Sequence, residues 1–324
     1  MSSEQSLLVQ ASACTFFLEA DASNSEADAS RWLPQADACG SENLNYMQKR
    51  FSTFLFGNFW IAIIAIMMCY FTEKALGIIL PDAFLPFVGF ATLTSYSFHA
   101  YLSSFYISAQ KGFRLPWIQK NKAFLLGQSL CSALVSSYFF LALASFSLYI
   151  LPIILATFLY SAPQIPVQPF ISLRKIAIAK TLYLSLSWAY ITIALPILVG
   201  GIPFFEAKNV YFLLNRFLLI YVIAILFDQK DKEADQLLAV KNAITYLKPT
   251  QIKGLISLCC ALFFISSFLF FQVKNNASLT FALLLPMFFF LLSFFFVEKT
   301  ENDYVYYGYL DGLLAVSGIE WLTF

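Results

Sequence analysis

Charge is what this sequence has least of. Only 12% of its 324 residues are Asp, Glu, Lys or Arg, where a soluble domain carries roughly 25%. That shortage excludes an ordinary soluble domain. The net charge of +1 excludes an electrostatic case for nucleic acid or another polyanionic partner. Cysteine is sparse and forms no metal-ligand or disulfide spacing: Cys69, Cys131, Cys259 and Cys260 lie in apolar runs, where a free thiol acts as a small hydrophobe, and Cys14 and Cys39 stand alone. What the chain has in excess is apolar surface, with 60% hydrophobic residues and 37 Phe. The composition is that of a protein embedded in a lipid bilayer.

Residues 1–46 are compositionally foreign to the rest. They hold seven acids (Glu4, Glu19, Asp21, Glu26, Asp28, Asp37, Glu42) against one base, Arg31. The segment lacks the basic start and apolar run of a secretory signal, and its acidity argues against a transit peptide. It reads as a disordered acidic leader, and residues 47–324 as a single transmembrane helical domain. Met47-Gln-Lys-Arg50 directly precedes the first apolar run, so Met47 is expected to be the initiator. N-terminal sequencing of the native protein should find Met47; finding Met1 would contradict this.

A spanning helix needs about 20 apolar residues. Nine segments qualify as candidates, near 51–72, 84–107, 123–145, 146–161, 177–199, 210–227, 252–272, 278–297 and 303–322. Only Ser145, Ser147 and Pro152 divide the third from the fourth, and Tyr304, Tyr306, Tyr307, Tyr309 and Asp311 make the ninth amphipathic. The expected fold is all-α and polytopic, with about nine transmembrane helices around a central cavity. On the side of the N-terminus lie Lys49, Arg50, Lys111, Arg114, Lys120, Lys122, Arg174, Lys175, Lys180, Lys230, Lys232, Lys241, Lys248, Lys253 and Lys299. The other side has Lys74, Lys208, Arg216 and Lys274. This bias orients the first side toward the cytoplasm.

Two stretches carry candidate chemistry. After the sixth apolar run, Asp228, Asp231, Glu233 and Asp235 crowd eight residues. At 100° per residue, Asp228, Asp231 and Asp235 fall within about 60° on one helix face. Carboxylates grouped at a membrane border point to a magnesium or diphosphate-metal site; a solvated loop neutralised by Lys230 and Lys232 is the alternative. The second segment carries a polar stripe of Thr92, Ser95, Tyr96, His99 and Ser103. Helix packing accounts for the hydroxyls. His99, the single histidine, is either a ligand-contacting group or an imidazole satisfied by a neighbouring hydroxyl or carbonyl. Lys111, Arg114, Lys120 and Lys122 follow, read either as topology signals or as phosphate contacts. Pro163, Pro166 and Pro169 break the chain after the fourth span, ahead of Arg174 and Lys175.

Several motifs in order resemble the UbiA-type intramembrane prenyltransferases. They are Leu159-Tyr-Ser-Ala-Pro163, Ser187-Trp-Ala-Tyr190 with Leu195-Pro196, Asp228-x-x-Asp231-x-x-x-Asp235, and the closing Tyr306-Tyr-Gly-Tyr-Leu-Asp-Gly-Leu-Leu314. The resemblance implies transfer of an isoprenyl group from a diphosphate donor to an aromatic or lipid acceptor within the bilayer. It implies Mg2+ on Asp228, Asp231 and Asp235, with Asp231 and Asp235 as the catalytic pair. Lys111, Arg114, Arg174 and Lys175 would bind diphosphate, and Ser95, His99 and Ser103 would line the cavity. The family's first motif, NxxxDxxxD on the second helix, is not matched. Ser95-x-x-x-His99-x-x-x-Ser103 is the nearest equivalent by spacing, with Ser97-x-x-x-Tyr101 as another register. That departure opens a second reading: a protein of this fold that binds an isoprenoid lipid or a partner without transfer. A transporter would need inverted repeats, and none is evident. The expected location is the bacterial inner membrane, with the Asp-rich loop cytoplasmic.

Overall fold

Long apolar runs with no water to satisfy their backbone must coil into helices, and those among the described residues do so. The computed structural model describes residues 47–105, 112–165, 180–232 and 246–319. Two compact units divide at Thr53. In the first, residues 47–53 are helical, and the hydroxyls of Ser52 and Thr53 donate to the Gln48 and Lys49 carbonyls one turn back. Everything below concerns the second.

Its elements are α1 (Phe59–Leu76), α2 (Phe84–Ser103), the short α3 (Arg114–Lys120), α4 (Lys122–Ala142), α5 (Ser147–Ser161), α6 (Lys180–Val199), α7 (Ala207–Lys230), α8 (Pro249–Lys274), α9 (Ala277–Val297) and α10 (Asp311–Ile319). Each of the nine expected segments contains a helix. Among the described residues, seven helices are long and apolar enough to cross a membrane: α1, α4, α5 with its preceding 3-10 turn, α6, α7, α8 and α9. The polar α2 and the short α10 fall outside that set. The protein is a polytopic helical membrane protein.

Local chemistry explains where the boundaries moved. The first span begins at Phe59 rather than 51 because Asn58 adopts a left-handed conformation, φ 63°, with its amide toward Ser97 Oγ at 3.4 Å. A 3-10 turn at Ala144–Phe146 separates the third and fourth spans, while Pro152 is absorbed inside α5. In α6 a π-turn at Tyr190–Ala194 precedes Pro196. Proline lacks an N–H and pushes away the carbonyl four residues back. That carbonyl, Thr192 O, instead accepts from Thr72 Oγ1 of α1 at 2.6 Å.

Packing runs from α1 to α2, on to α5, α6, α7, α8, α9 and α10, and back to α1, with α4 against α2. The helices thus close a ring. One end of its interior is plugged. There Thr72 meets Thr192, Cys69 Sγ points at Ile191 O, and Phe71, Phe212 and Phe270 are buried ring against ring. Arg216, counted from sequence among the loop cations, is instead 1% exposed in the middle of α7. Its Nη1 donates to Leu314 O at 3.2 Å, and its guanidinium lies over Phe71 and Phe212. The loop reading failed because a single cation directly before the apolar run Phe217–Phe227 gives no sign of depth.

The α2–α4 seam is built from small hydroxyl residues, which let backbones approach closely. Ser129, Ser132 and Ser136 are buried on α4. Thr94 Oγ1 donates to Ser132 Oγ at 2.9 Å, and Ser129 Oγ to Thr94 O at 3.1 Å. Ser132→Leu should wedge the seam and cost about 1–3 kcal/mol, as overpacking does. Thermal unfolding in detergent would register this as a lower midpoint, whereas Ser132→Ala should shift it far less.

Candidate functional site

The end of the ring opposite the plug gathers charge. Lys230 closes α7, Arg114 opens α3, and Asp303 begins the last helical segment. Asp303 is 4% exposed. It ion-pairs with Lys230 Nζ, and its Oδ2 accepts the Arg114 backbone N–H at 2.8 Å. Gly112 makes this approach possible. It sits at φ 143°, and a Cβ there would overlap Asp303 Oδ2. The Arg114 guanidinium then lies 4.4 Å from the centre of the Tyr307 ring. Lys230 Nζ stands 4.6 Å from Tyr306 and 5.1 Å from Tyr307. Cations held on aromatic faces keep their charge with less hydration than in water.

Beside this clasp, Asp228 on α7 is met by α6. Lys180 Nζ lies 3.5 Å from Asp228 Oδ1, and Thr181 Oγ1 donates to Asp228 Oδ2. Asp231 is the C-cap of α7 and acts electrostatically on Tyr306 and Tyr307. Asp235, Lys111, Arg174 and Lys175 lie outside the described residues. Among the described residues, no three His, Cys, Asp or Glu side chains come close enough to share a metal.

Deeper along α2, His99 is held at both nitrogens. Gln164 Nε2 lies 2.9 Å from His99 Nε2, and Ser161 Oγ lies 3.3 Å from Nδ1. Ser103 Oγ donates to Gln164 Oε1 at 2.9 Å. With the Gln164 amide donating to Nε2, the ring carries its proton on Nδ1 and directs it at Ser161. The imidazole stacks on Tyr160, whose ring lies nearly parallel to that of Tyr183, 2° between planes. The register of Ser95, His99 and Ser103 therefore turns toward the start of the proline-broken connection, with Ser95 half-buried two turns before Ser103. Ser97 turns instead to Asn58, and Tyr101 packs with Trp117 against Ala100, Ile118 and Leu125.

The two clusters share one interior. Arg114 and Lys180 both act electrostatically on His99. Arg114 also acts on Tyr96, Tyr307 and Asp311. His99, Tyr96, Tyr307 and Asp311 sit deep among the helices, yet each keeps some accessible surface. Accessible surface at that depth belongs to an internal cavity. Thus Arg114 lies within electrostatic reach of His99, and Asp231 within that of Tyr307.

Asp303, Lys180, Thr181, Gln164 and Asp311 were not among the residues singled out from spacing. Asp303 sits in the polar run Glu301-Asn-Asp303 between two apolar segments, and Asp311 is the acid inside the ninth span. Both were visible as anomalies; their partners, drawn from distant helices, were not.

No known family model and no characterised protein matches the sequence. Solved structures do match. A UbiA homologue from Archaeoglobus fulgidus bound to DMAPP and Mg2+ superposes with a TM-score of 0.57 at 15% identity, covering 84% of this chain and 99% of the other. The same homologue bound to GPP and Mg2+ gives 0.57 at 16%, covering 83% and 100%. A third structure of a UbiA homologue from that organism gives 0.54 at 14%, covering 84% and 100%. The helical ring is the UbiA-type fold. At this identity the likeness extends to the fold, and the chemistry must be argued from this chain's own residues.

Removing the Asp303 carboxylate leaves Lys230 buried without its counter-ion, which costs about 3–5 kcal/mol. Asp303→Ala should therefore lower the thermal midpoint sharply. Adding Lys230→Met to the same protein should recover much of the loss, and a double-mutant cycle that found simple additivity would contradict the pairing.

Proposed function

We propose that this protein binds an isoprenyl diphosphate at the charged end of the ring. It then transfers the isoprenyl group, with Mg2+, to a hydrophobic aromatic or lipid acceptor inside the bilayer. The observation that carries this reading is the convergence of Arg114, Lys180, Asp228 and Asp231 at the open end of an aromatic interior. The UbiA homologues of like fold are bound to DMAPP or GPP with Mg2+. Lys111, Arg174 and Lys175 belong to the same two connections by sequence and would add to the diphosphate contacts.

The donor set suits one magnesium ion. Mg2+ commonly takes one or two carboxylates and fills its shell with water and substrate phosphate oxygens. Asp231 and Asp235 would hold it, with Asp228 in support. Bound there, the ion would neutralise charge that develops on the diphosphate as the allylic C–O bond opens. A second ion on α2 does not fit: Ser95 and Ser103 offer no anionic oxygen, and both His99 nitrogens are engaged. Cations would do that work instead, with Arg114 and Lys180 contacting diphosphate oxygens directly. The faces of Tyr160, Tyr183 and Tyr307 would stabilise the allylic cation, and the plugged far end keeps water from following it. The excess of loop cations on this side supports a cytoplasmic mouth, and a bacterial inner membrane is the proposed location.

A specific observation favours a second reading, in which the fold binds an isoprenoid or a partner without transfer. Asp228 is already engaged by Lys180 and Thr181, and α2 lacks acids. Purified protein incubated with Mg2+, labelled isoprenyl diphosphates and a panel of aromatic acceptors separates the two. Transfer should be present and should fall at least about 100-fold, as loss of a metal ligand implies, in Asp231→Ala and Asp235→Ala. Magnesium-dependent diphosphate binding without transfer would favour the second reading, and absence of that binding would end the first.

A further inference from the structure

Two aromatic side chains meet across the interior from helices that are not neighbours in the ring. Trp188 Nε1 of α6 donates to Tyr96 Oη of α2 at 2.8 Å, with the rings edge to face and their centres 6.1 Å apart. Helix α5 stands between α2 and α6 in the ring, so the pair spans the bundle. Below it the interior is filled. Trp188 belongs to the buried core that includes Met68, Cys69, Ile193 and Leu195. Its carbonyl accepts from Thr192 Oγ1 at 2.8 Å, and Thr192 O accepts in turn from Thr72 of α1. The plug therefore holds the tryptophan in place.

Above the pair, the same helix faces carry the polar groups of the charged end. On α2, Ser103 lies seven residues beyond Tyr96, and on α6, Thr181 lies seven residues before Trp188. That separation returns to one face of a helix. Ser103 Oγ donates to Gln164 Oε1 at 2.9 Å, and Thr181 Oγ1 donates to Asp228. Seven residues at about 1.5 Å of rise place the aromatic pair about 10 Å inside the charged end on both helices. An extended chain advances about 1.2 Å per bond, so an isoprene unit, with four bonds along its length, takes about 5 Å. The interval matches about two such units.

We propose that Tyr96 and Trp188 form the floor of the isoprenyl pocket and restrict this protein to a short donor, a C10 rather than a C20 diphosphate. The inference rests on the diphosphate-binding reading above and adds the chain length to it. With the diphosphate held at the charged end, a C10 chain ends against the two rings. A C20 chain needs twice that depth. It can enter fully only by breaking the Trp188–Tyr96 hydrogen bond and displacing a side chain that is 6% exposed and packed against the plug. Close-packed interiors resist such displacement. The restriction is set by the two rings together, since each reaches only part of the way across.

The test measures binding of geranyl and geranylgeranyl diphosphates, with Mg2+ and no acceptor, to the full chain in detergent. Wild type is expected to bind the geranyl compound at least about 10-fold more tightly, the discrimination that a misfitting apolar group meets in a fitted pocket. Trp188→Ala is expected to erase most of that ratio by letting the longer chain pass. Because this change also opens the core, Tyr96→Ala is measured beside it and removes the half-buried partner of the floor. The readout is the ratio of the two affinities, which a general loss of stability does not move. Relief of the ratio by either variant supports the floor. An unchanged ratio in every variant that folds overturns it. Wild type that binds both chains equally, as it would if the tail left sideways between helices, overturns the proposal alone, whether or not the variants fold. Wild type that binds neither diphosphate overturns the diphosphate-binding reading, and this proposal with it.

Discussion

The charged end of this protein depends on one buried carboxylate. Asp303 takes Lys230 from α7 and the backbone N–H of Arg114 from α3, and the Lys230 ammonium could not stand buried without it. The pairing fixes where the connection after α2 crosses the mouth, which in turn lays Arg114 on Tyr307 and turns its charge toward the cavity. Gly112 exists in this arrangement to let the carboxylate in. At the far end the same problem is solved differently, with Arg216 held by a carbonyl and two phenylalanine faces. The ring is therefore closed at one end by aromatic packing and gated at the other by paired charge.

Much of the fold was legible because a bilayer leaves the chain few options. Each apolar run of about 20 residues contains a helix. What composition could not supply was local geometry. The left-handed Asn58, the π-turn forced by Pro196 and the depth of Arg216 arise from contacts with other helices. The polar stripe on α2 was legible as a stripe. Its meaning was not, since Gln164 and Ser161, which hold His99, come from a different helix and its following turn, some 60 residues along the chain. Asp228 was likewise picked out by spacing, while Lys180 and Thr181 had no spacing signal to offer.

Within this UbiA-type fold, α2 carries no carboxylate at all. Positions on α2 that would have offered anionic oxygens offer hydroxyls and a satisfied imidazole. Arg114 and Lys180 both lie within electrostatic reach of His99. A diphosphate carries its own negative charge, so cations can hold it with fewer bridging metals.

The most direct test of this account is a structure of the protein in lipid nanodiscs with geranyl diphosphate and Mg2+. The account predicts diphosphate density in contact with Arg114 and Lys180, one metal ion on the Asp228–Asp235 side, and the geranyl chain running between His99 and Tyr307. Diphosphate bound away from Arg114 and Lys180, or an empty interior at saturating ligand, would contradict it.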